Sequence, residues 1–307
     1  MKRLKLIFVI LLCILTVSCP SVIEKLRCPI ETGPAGDAQA LNWKPGPKHS
    51  EDKYNSKIID CGGETIQNYF ITEDGVTLQN CKIYGHVFVY RKDYGVSVHK
   101  YQGESRKANY VSFIRNNSPT RFIIKDSDII ATGDTPLRLG AGTTFGKIIN
   151  VTISGNTGSG TAVYISAESH GHYFDNLRIR DIKLGREAIA IDASDNITII
   201  NSVIHGRIHL YRNCGEQGVI RHTTPSFNLI TNNTFFDTGK FNVIVGSRGM
   251  YDVKCYCNED SWGPDNAMFG SRISDLDNAH DNIITNNKGT GEPFIAPVGN
   301  INNEVSL

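Results

Sequence analysis

Two kinds of short apolar segment alternate along most of the chain, and no stretch sustains the 3.6-residue periodicity of a helix. The first kind has the form apolar-x-apolar, at residues 87–89, 137–139, 163–165, 189–191, 208–210 and 243–245. The second kind begins at Gly75, Arg121, Asn150, Asn176, Asn196, Asn228 and Asn282. A glycine follows each second segment: Gly85, Gly133, Gly158, Gly185, Gly206, Gly239 and Gly291. This constant order predicts a solenoid whose turns each add one strand to each of several parallel sheets.

The alternation within the first segments also predicts which side chains face outward. The core residues of these segments flank a first outward row, made of Arg138, Tyr164, Ala190, His209 and Ile244. A second outward row lies two residues further along: Gly140, Ser166, Asp192, Tyr211 and Gly246. We expect the asparagines at 150, 176, 196, 228 and 282 to stack at one equivalent corner, where their amides would hydrogen-bond between coils.

Over roughly residues 57–295, the chain resembles the pectate-lyase-like superfamily in its repeated order of strands and turns and in the expected stack of asparagines. The resemblance implies an all-β fold, a single-stranded right-handed parallel β-helix solenoid with long loops on one side. Chance alternation in a β-sandwich is the alternative interpretation. Because that superfamily contains lyases, hydrolases, epimerases, phage tailspikes and non-enzymes, the resemblance implies a polysaccharide ligand more firmly than any reaction.

The variable loops all follow the first segments, so we expect them to wall a cleft on one side of the rod, over the outward rows. Tyrosines beside acidic, basic and cationic groups on a flat face are suited to a sugar chain. We predict catalytic roles for His209, Tyr211, Asp192 and Arg212. We predict substrate binding by Arg138, Tyr164, Glu168, His170, His172, Arg221, His222 and Arg248.

Two reactions and one non-catalytic function remain open. In a β-elimination lyase, arginine neutralises a uronate carboxylate, a base removes the adjacent proton, and an acid protonates the leaving oxygen. In a glycoside hydrolase, Asp192 and Glu168 would be the carboxylate pair. A non-catalytic polysaccharide-binding or cell-envelope structural β-helix is the third interpretation, and we favour the lyase among the enzymes.

Motifs of two related enzyme families are absent. Where polygalacturonases carry two aspartates, this chain has Arg186 and Glu187. The segment 169–172 replaces their Gly-His-Gly motif and precedes the acidic segment, which is the wrong order. The Asp-Pro-His-Asp motif of mannuronan epimerases is also missing, so neither family's reaction transfers.

The composition is typical of a globular protein: of 307 residues, 40% are hydrophobic and 21% are charged, and the formal net charge is +1. A nucleic-acid partner is therefore not expected, since such proteins carry a basic excess. The His-x-His of residues 170–172 could bind a metal together with Glu168, but local hydrogen bonding is the commoner role of such a loop. We expect no metal and no cofactor; calcium is common in related lyases, yet the sequence has no acidic cluster that indicates it.

The N-terminus predicts export. A basic start and an apolar run at residues 6–17 form a signal peptide over residues 1–18, and Cys19 is a candidate lipidation site. A Pro/Gly-rich lead-in at 19–56 would precede a β-helix domain at 57–307. We expect a periplasmic or membrane-anchored lipoprotein on the inner or outer membrane, with secretion as the alternative. Exported cysteines favour disulfides, and Cys214 with Cys255 or Cys257 is the preferred pair.

Overall fold

The structure, a computed structural model, describes residues 56–90, 110–211, 215–216, 219–220, 223–246, 279–295 and 302–306. The predicted signal peptide, Cys19, nearly all of the lead-in and Cys214, Cys255 and Cys257 lie outside these residues. Within them, no helix is both long enough and apolar enough to cross a membrane.

Short strands make up nearly all of the regular structure. In chain order they are β1 Lys57–Asp60, β2 Thr65–Ile71, β3 Val76–Gln79, β4 Lys82–Val89, β5 Ile123–Thr132, β6 Leu137–Leu139, β7 Lys147–Asn156, β8 Val163–Ile165, β9 Tyr173–Asp175, β10 Arg178–Lys183, β11 Ile189–Asp192, β12 Thr198–Ile200, β13 Val203–His205, β14 Ile208–Tyr211, β15 Gly215–Glu216, β16 Val219–Ile220, β17 Leu229–Thr231, β18 Thr234–Phe236, β19 Phe241–Val245, β20 Ile283–Thr285, β21 Lys288–Gly289, β22 Glu292–Ile295 and β23 Glu304–Val305. Within the described ranges, one helix, α1 Tyr110–Asn116, interrupts them. It lies in a region where the sequence predicted only a long loop.

The strands form three parallel ladders, and the predicted parallel β-helix is confirmed. Sheet A contains β1, β3, the first halves of β5 and β7, β9, β12, β17, β20 and β23. Sheet B contains the first halves of β2 and β4, the second halves of β5 and β7, β10, β13, β18 and β21. Sheet C contains the second halves of β2 and β4, β6, β8, β11, β14, β19 and β22.

Apolar side chains from all three sheets fill the space inside the coils. Ile124, Ile153 and Ile189 come from sheets A, B and C respectively, and each is fully buried. Because β-branched residues pack well on a pleated surface, one such residue per strand and coil is enough to build a continuous core. A disulfide between Cys61 and Cys81 joins two adjacent coils at the N-terminal end, a pair that the sequence did not single out.

The prediction of one asparagine column is wrong, because the asparagines that begin the second segments lie at two different corners of the coils. Asn150 and Asn176 lie between sheets A and B, where the Asn176 amide donates to Asn150 at 3.1 Å. Asn228 and Asn282 lie between sheets C and A, where they form a separate buried ladder. Asn196 shares that corner but occupies the preceding position, which has a positive φ.

The corner between sheets C and A also carries the longer connections, as the sequence predicted. The helix α1 lies between β4 and β5, and the antiparallel hairpin β15–β16 lies between β14 and β17. The connection between β11 and β12 is short, and its Ala193 adopts a φ of 43°. The outward face of sheet C therefore lies beside the corner where the chain varies most.

Candidate functional site

Sheet C brings the predicted site residues into two adjoining outward rows. In the first row, Arg138 pairs in register with Tyr164, Tyr164 with Ala190, and Ala190 with His209. In the second row, Asp192 pairs with Tyr211. The register predicted from the sequence is therefore confirmed, because the period-2 alternation fixes which residues of each strand face outward.

Tyr164 connects the cationic and acidic parts of this face. Its hydroxyl donates to Asp192 Oδ2 at 2.9 Å, and the Arg138 guanidinium lies 5.3 Å from its ring centroid. Asp192 is fully buried, although it faces away from the coil interior. A buried carboxylate requires hydrogen-bond donors, so the Tyr164 hydroxyl stabilises the face in this arrangement.

Two buried hydrogen-bonding atoms next to Tyr164 on this face lack a partner within the described part of the chain. They are Arg138 Nε and Ser166 Oγ. Ser166 directly follows β8 and lies beside Asp192, which ends the neighbouring strand. A buried polar group without a partner costs about 1–3 kcal/mol, so such groups are rare in folded proteins. Both atoms are suited to hydrogen bonding with the oxygens of a ligand.

His209 lies between a carboxylate and a backbone carbonyl. Its Nε2 is 2.9 Å from the Gly246 carbonyl oxygen, and its Nδ1 is 3.5 Å from Glu187 Oε1. The Tyr211 ring lies 4.7 Å from the His209 ring between centroids, so both predicted catalytic side chains belong to one packed group.

Glu187 is the acidic centre of this group, and it is 5% exposed. Its carboxylate lies 3.5 Å from Arg186 Nε and 3.4 Å from an Arg207 nitrogen. Burial raises the pKa of Glu187, but the contact with His209 and the charge of Arg186 outweigh it and hold the pKa below its ordinary value of 4.5. Glu187 is therefore ionised at neutral pH and is a poor proton donor.

Arg186 links Glu187 to both tyrosines of the face. Burial lowers the pKa of Arg186, but Tyr211, Glu187 and Tyr164 outweigh that effect and raise it. The largest of these raising effects comes from Tyr211. Arg186 therefore places a positive charge beside the predicted catalytic residue Tyr211.

The predicted binding residues His170 and His172 lie at the corner between sheets C and A. His172 is fully buried inside the coil, where its Nδ1 accepts from the Gly146 amide at 3.0 Å and its Nε2 lies 3.1 Å from Thr143 Oγ1. Burial is the main cause that lowers its pKa to about 3, so the ring is neutral. This position corrects our interpretation of His172, which packs the coil and does not face outward.

His170 belongs to a buried ion-pair chain at the same corner. Its Nδ1 contacts Asp195 Oδ1, and Asp195 Oδ2 accepts from an Arg115 nitrogen at 2.7 Å. Burial raises the pKa of Asp195, but Arg115 and His170 outweigh it and lower the pKa to about 2. Arg115 also donates through Nε to the Glu168 carbonyl oxygen at 2.7 Å. These contacts fasten α1 against coils that follow it in the chain.

Glu168 is almost fully buried and has a φ of 63°, a conformation that a non-glycine residue seldom adopts. Within the described residues, no group of three His, Cys, Asp or Glu side chains is placed to hold a metal ion. The remaining predicted site residues, Arg212, Arg221, His222 and Arg248, lie outside the residues that the structure describes.

Three important residues were missed as site candidates by sequence reasoning. Arg186 and Glu187 were noted only because they replace the aspartates of another family, and Arg115 was not considered. A charged pair directly before a core strand was a usable signal for Glu187, since buried charges need partners. Arg115 had no comparable signal, because its partner Asp195 is 80 residues away.

Comparisons with known proteins leave the site to be interpreted from its own geometry. No protein-family model matches this chain, and no curated protein shows a significant sequence match to it.

Proposed function

We propose that the outward face of sheet C binds an acidic polysaccharide and that the protein cleaves this polymer by β-elimination. The observation that carries the proposal is the pair of buried, unpartnered atoms Arg138 Nε and Ser166 Oγ beside the Tyr164–Asp192 hydrogen bond. A sugar carboxylate would accept from Arg138, and a ring hydroxyl would pair with Ser166. The Tyr164 ring offers an apolar surface between them.

In this reaction Arg138 neutralises the uronate carboxylate and so acidifies the proton at C5. Tyr211, which lies beside the positive charge of Arg186, removes that proton in its phenolate form. The electron pair of the C5–H bond forms a C4–C5 double bond while the C4–O4 bond breaks. The leaving O4 takes a proton from Tyr211, which restores its phenolate, or from Tyr164, which then recovers a proton from Tyr211.

The geometry supports a lyase better than a hydrolase. A glycosidase needs one carboxyl group that stays protonated near neutral pH beside a second that is ionised. Glu187 has a lowered pKa and cannot fill the acid role. Glu168, the predicted partner of Asp192, lies at the corner between sheets C and A, where its carbonyl oxygen accepts a hydrogen bond from Arg115.

One observation favours binding without turnover as the second candidate function. Asp192, His209 and Tyr211 are all at most 1% exposed, and Asp192 already accepts from Tyr164. Side chains enclosed in this way are well suited to hold a fixed surface. A structural or sugar-binding β-helix would use the same outward rows, but it would have no proton to transfer.

The deciding experiment incubates the purified protein with polygalacturonate, alginate, hyaluronate and a neutral glucan. Absorbance of unsaturated uronates and release of reducing ends are followed together. A rise in both for an acidic polymer supports the lyase, and reducing ends alone would support a hydrolase. Binding without either signal would support the non-catalytic function and contradict the proposed reaction.

Two variants test the assigned roles. Tyr211→Phe should lower turnover at least a hundred-fold while binding stays within about three-fold, because general base catalysis typically contributes 10²–10⁴-fold. Arg138→Met should weaken binding of acidic polymers and leave binding of the neutral glucan unchanged. Tyr173→Phe, on the outward face of sheet A, is the matched control and should alter neither.

We also propose that the protein works outside the cytoplasm, on the grounds of its N-terminal sequence. The basic start, the apolar run at 6–17 and Cys19 support export with lipid attachment to a membrane. Membership of the pectate-lyase-like superfamily belongs to the same proposal, and the parallel β-helix supports it. Metabolic labelling with a fatty acid, compared between the full chain and Cys19→Ser, tests the lipidation.

A further inference from the structure

Four aromatic side chains cluster on the outward face of sheet C at its N-terminal end: Phe70, His86, Phe88 and Tyr90. The His86 and Phe88 rings stack with centroids 4.2 Å apart and planes 14° apart. Phe70 makes edge contacts with Phe88 at 6.0 Å and with Tyr90 at 5.7 Å. We call these four residues the aromatic platform.

The aromatic platform is partly open to solvent, although its members are large aromatic side chains. Phe70 is 46% exposed, and the other three are partly exposed. The sequence did not draw attention to these positions as a site. Contiguous exposed aromatic surface on an exported domain marks a binding surface more often than isolated apolar residues do.

The aromatic platform is continuous with the proposed polysaccharide site. Phe70 pairs in register with Phe88, Phe88 with Arg138, and Arg138 with Tyr164. Three coil steps separate Phe70 from Tyr164, which corresponds to about 14 Å along the axis of the solenoid. One extended ligand lying along this axis would therefore contact both surfaces.

Gly140 opens the junction between the two surfaces. A Cβ atom at Gly140 would lie 2.9 Å from the Tyr90 Cβ and 2.8 Å from the Val89 carbonyl oxygen. The missing side chain lets Tyr90 lie against the following coil, at a position two residues after Arg138. The outward rows consequently pass from aromatic to charged without a protruding side chain at this position.

We infer that the aromatic platform is a second subsite, which stacks on an uncharged sugar residue of the same polymer. Phenyl rings bind the apolar face of a pyranose, while the polar tips of His86 and Tyr90 can reach its hydroxyls. None of the four side chains is a guanidinium or an ammonium group that would bind a carboxylate. The ligand is then a heteropolysaccharide in which uronate residues occur together with uncharged ones. This inference rests on the proposed function.

Binding of two octasaccharides tests the inference by titration calorimetry. Hyaluronate contains alternating uronate and N-acetylhexosamine, whereas polygalacturonate contains uronate alone. Phe70→Ala and Phe88→Ala should each weaken binding of the hyaluronate octasaccharide about ten-fold and leave polygalacturonate binding within two-fold. Phe236→Ala is the matched control, because Phe236 is 40% exposed on sheet B, and it should change neither affinity.

Two results would overturn the uncharged subsite: the variants weaken binding of both octasaccharides equally, or they weaken binding of neither. Both results would leave an acidic-polymer site intact. Failure of the unsubstituted protein to bind any acidic polymer would instead contradict the proposed function, and the inference with it.

Two further measurements test whether the aromatic platform binds something other than a sugar, and the first is sedimentation velocity. A change in oligomeric state on Phe70→Ala would assign the surface to a second copy of the chain and overturn the sugar subsite. Tighter sugar binding after removal of residues 1–55 would assign it to that segment and overturn the subsite equally.

Discussion

The Tyr164 hydroxyl donates to Asp192 Oδ2 at 2.9 Å, across two adjacent coils and 28 residues of sequence. This contact joins the first outward row of sheet C to the second. On its other side the Tyr164 ring carries the guanidinium of Arg138. Tyr164 thus holds together an acidic group and a cationic group that have no direct contact of their own in the described structure.

Tyr164→Phe should therefore destabilise the protein by about 1–3 kcal/mol, because the buried Asp192 carboxylate loses a donor. Urea unfolding at neutral pH measures the change. Tyr173→Phe is the matched control, since the Tyr173 hydroxyl donates to Asp175 at 3.1 Å near the surface, and its loss should cost under about 1 kcal/mol. Equal costs for the two variants would contradict the assignment of a special role to Tyr164.

Glu187→Gln tests the ion-pair group around His209. The folded pKa of Glu187 lies below its ordinary value of 4.5, so its ionised form stabilises the folded state above pH 4.5. That stabilisation decreases as the pH falls from 4.5 toward the folded pKa. The variant should be less stable than the unsubstituted protein by about 2–3 kcal/mol at pH 7, with a smaller difference at pH 3.5.

Urea unfolding of both proteins between pH 7 and pH 3.5 provides this comparison. Glu73→Gln is the control, because Glu73 forms an exposed ion pair with Lys57 at 3.6 Å, which contributes little. A stability difference for Glu187→Gln that stayed constant over the whole pH range would show that ionisation of Glu187 is not its cause.

Arg115→Met tests the attachment of α1 to the coils. The guanidinium is completely buried and pairs with Asp195, so its loss leaves a buried carboxylate without its main cationic partner. The expected cost is about 3–5 kcal/mol. Hydrogen exchange should also become faster in residues 110–118, which a general loss of stability would not single out. Arg180→Met is the control, since the Arg180–Asp181 contact is exposed and 4.0 Å long.

The sequence predicted sheet C well because each of its short strands has the same simple alternation. At residues 163–165, two core residues flank Tyr164, and an equivalent residue of the next coil lies directly beside it. Any shift by one residue would bury Tyr164 and expose two apolar side chains, so only one register is stable. The outward rows followed directly from this pattern.

The sequence did not separate sheets A and B, because in β5 and β7 the chain passes from one to the other within a single strand. In β7 the only sign of the corner is Asn150, which adopts a φ of 53°. Asn196 has a φ of 56° and is also followed by alternating residues, yet it lies at a different corner. A lone left-handed asparagine is the same local signal in both places, so sequence alone assigned them to one column.

The site itself could be predicted only in part, for a related reason. Outward positions such as Asp192 and His209 follow from the strand register. Their partners come from corners and loops, where the alternation gives no information about which coils meet. The Glu187–His209 contact depends on how the corner before β11 folds, and α1 has no periodic pattern long enough to indicate it.

The buried asparagine ladder between sheets C and A gives the last prediction. Asn282 donates through Nδ2 to the Pro225 carbonyl oxygen at 2.9 Å and to Asn303 Oδ1 at 2.8 Å. Its own Oδ1 accepts from the Asn228 amide side chain at 2.9 Å. Asn282→Ala would leave buried donors and acceptors without partners on both neighbouring coils, so we expect a loss of about 2–4 kcal/mol.

Thermal and urea unfolding of Asn282→Ala measure this loss, and Asn116→Ala at the exposed end of α1 is the control. The Asn228→Ala and Asn282→Ala double variant should cost less than the sum of the single variants, because each single substitution already breaks their shared hydrogen bond. Strict additivity would mean that the two asparagines stabilise their coils independently. The ladder would then be a stack of separate corner contacts, without coupling from coil to coil.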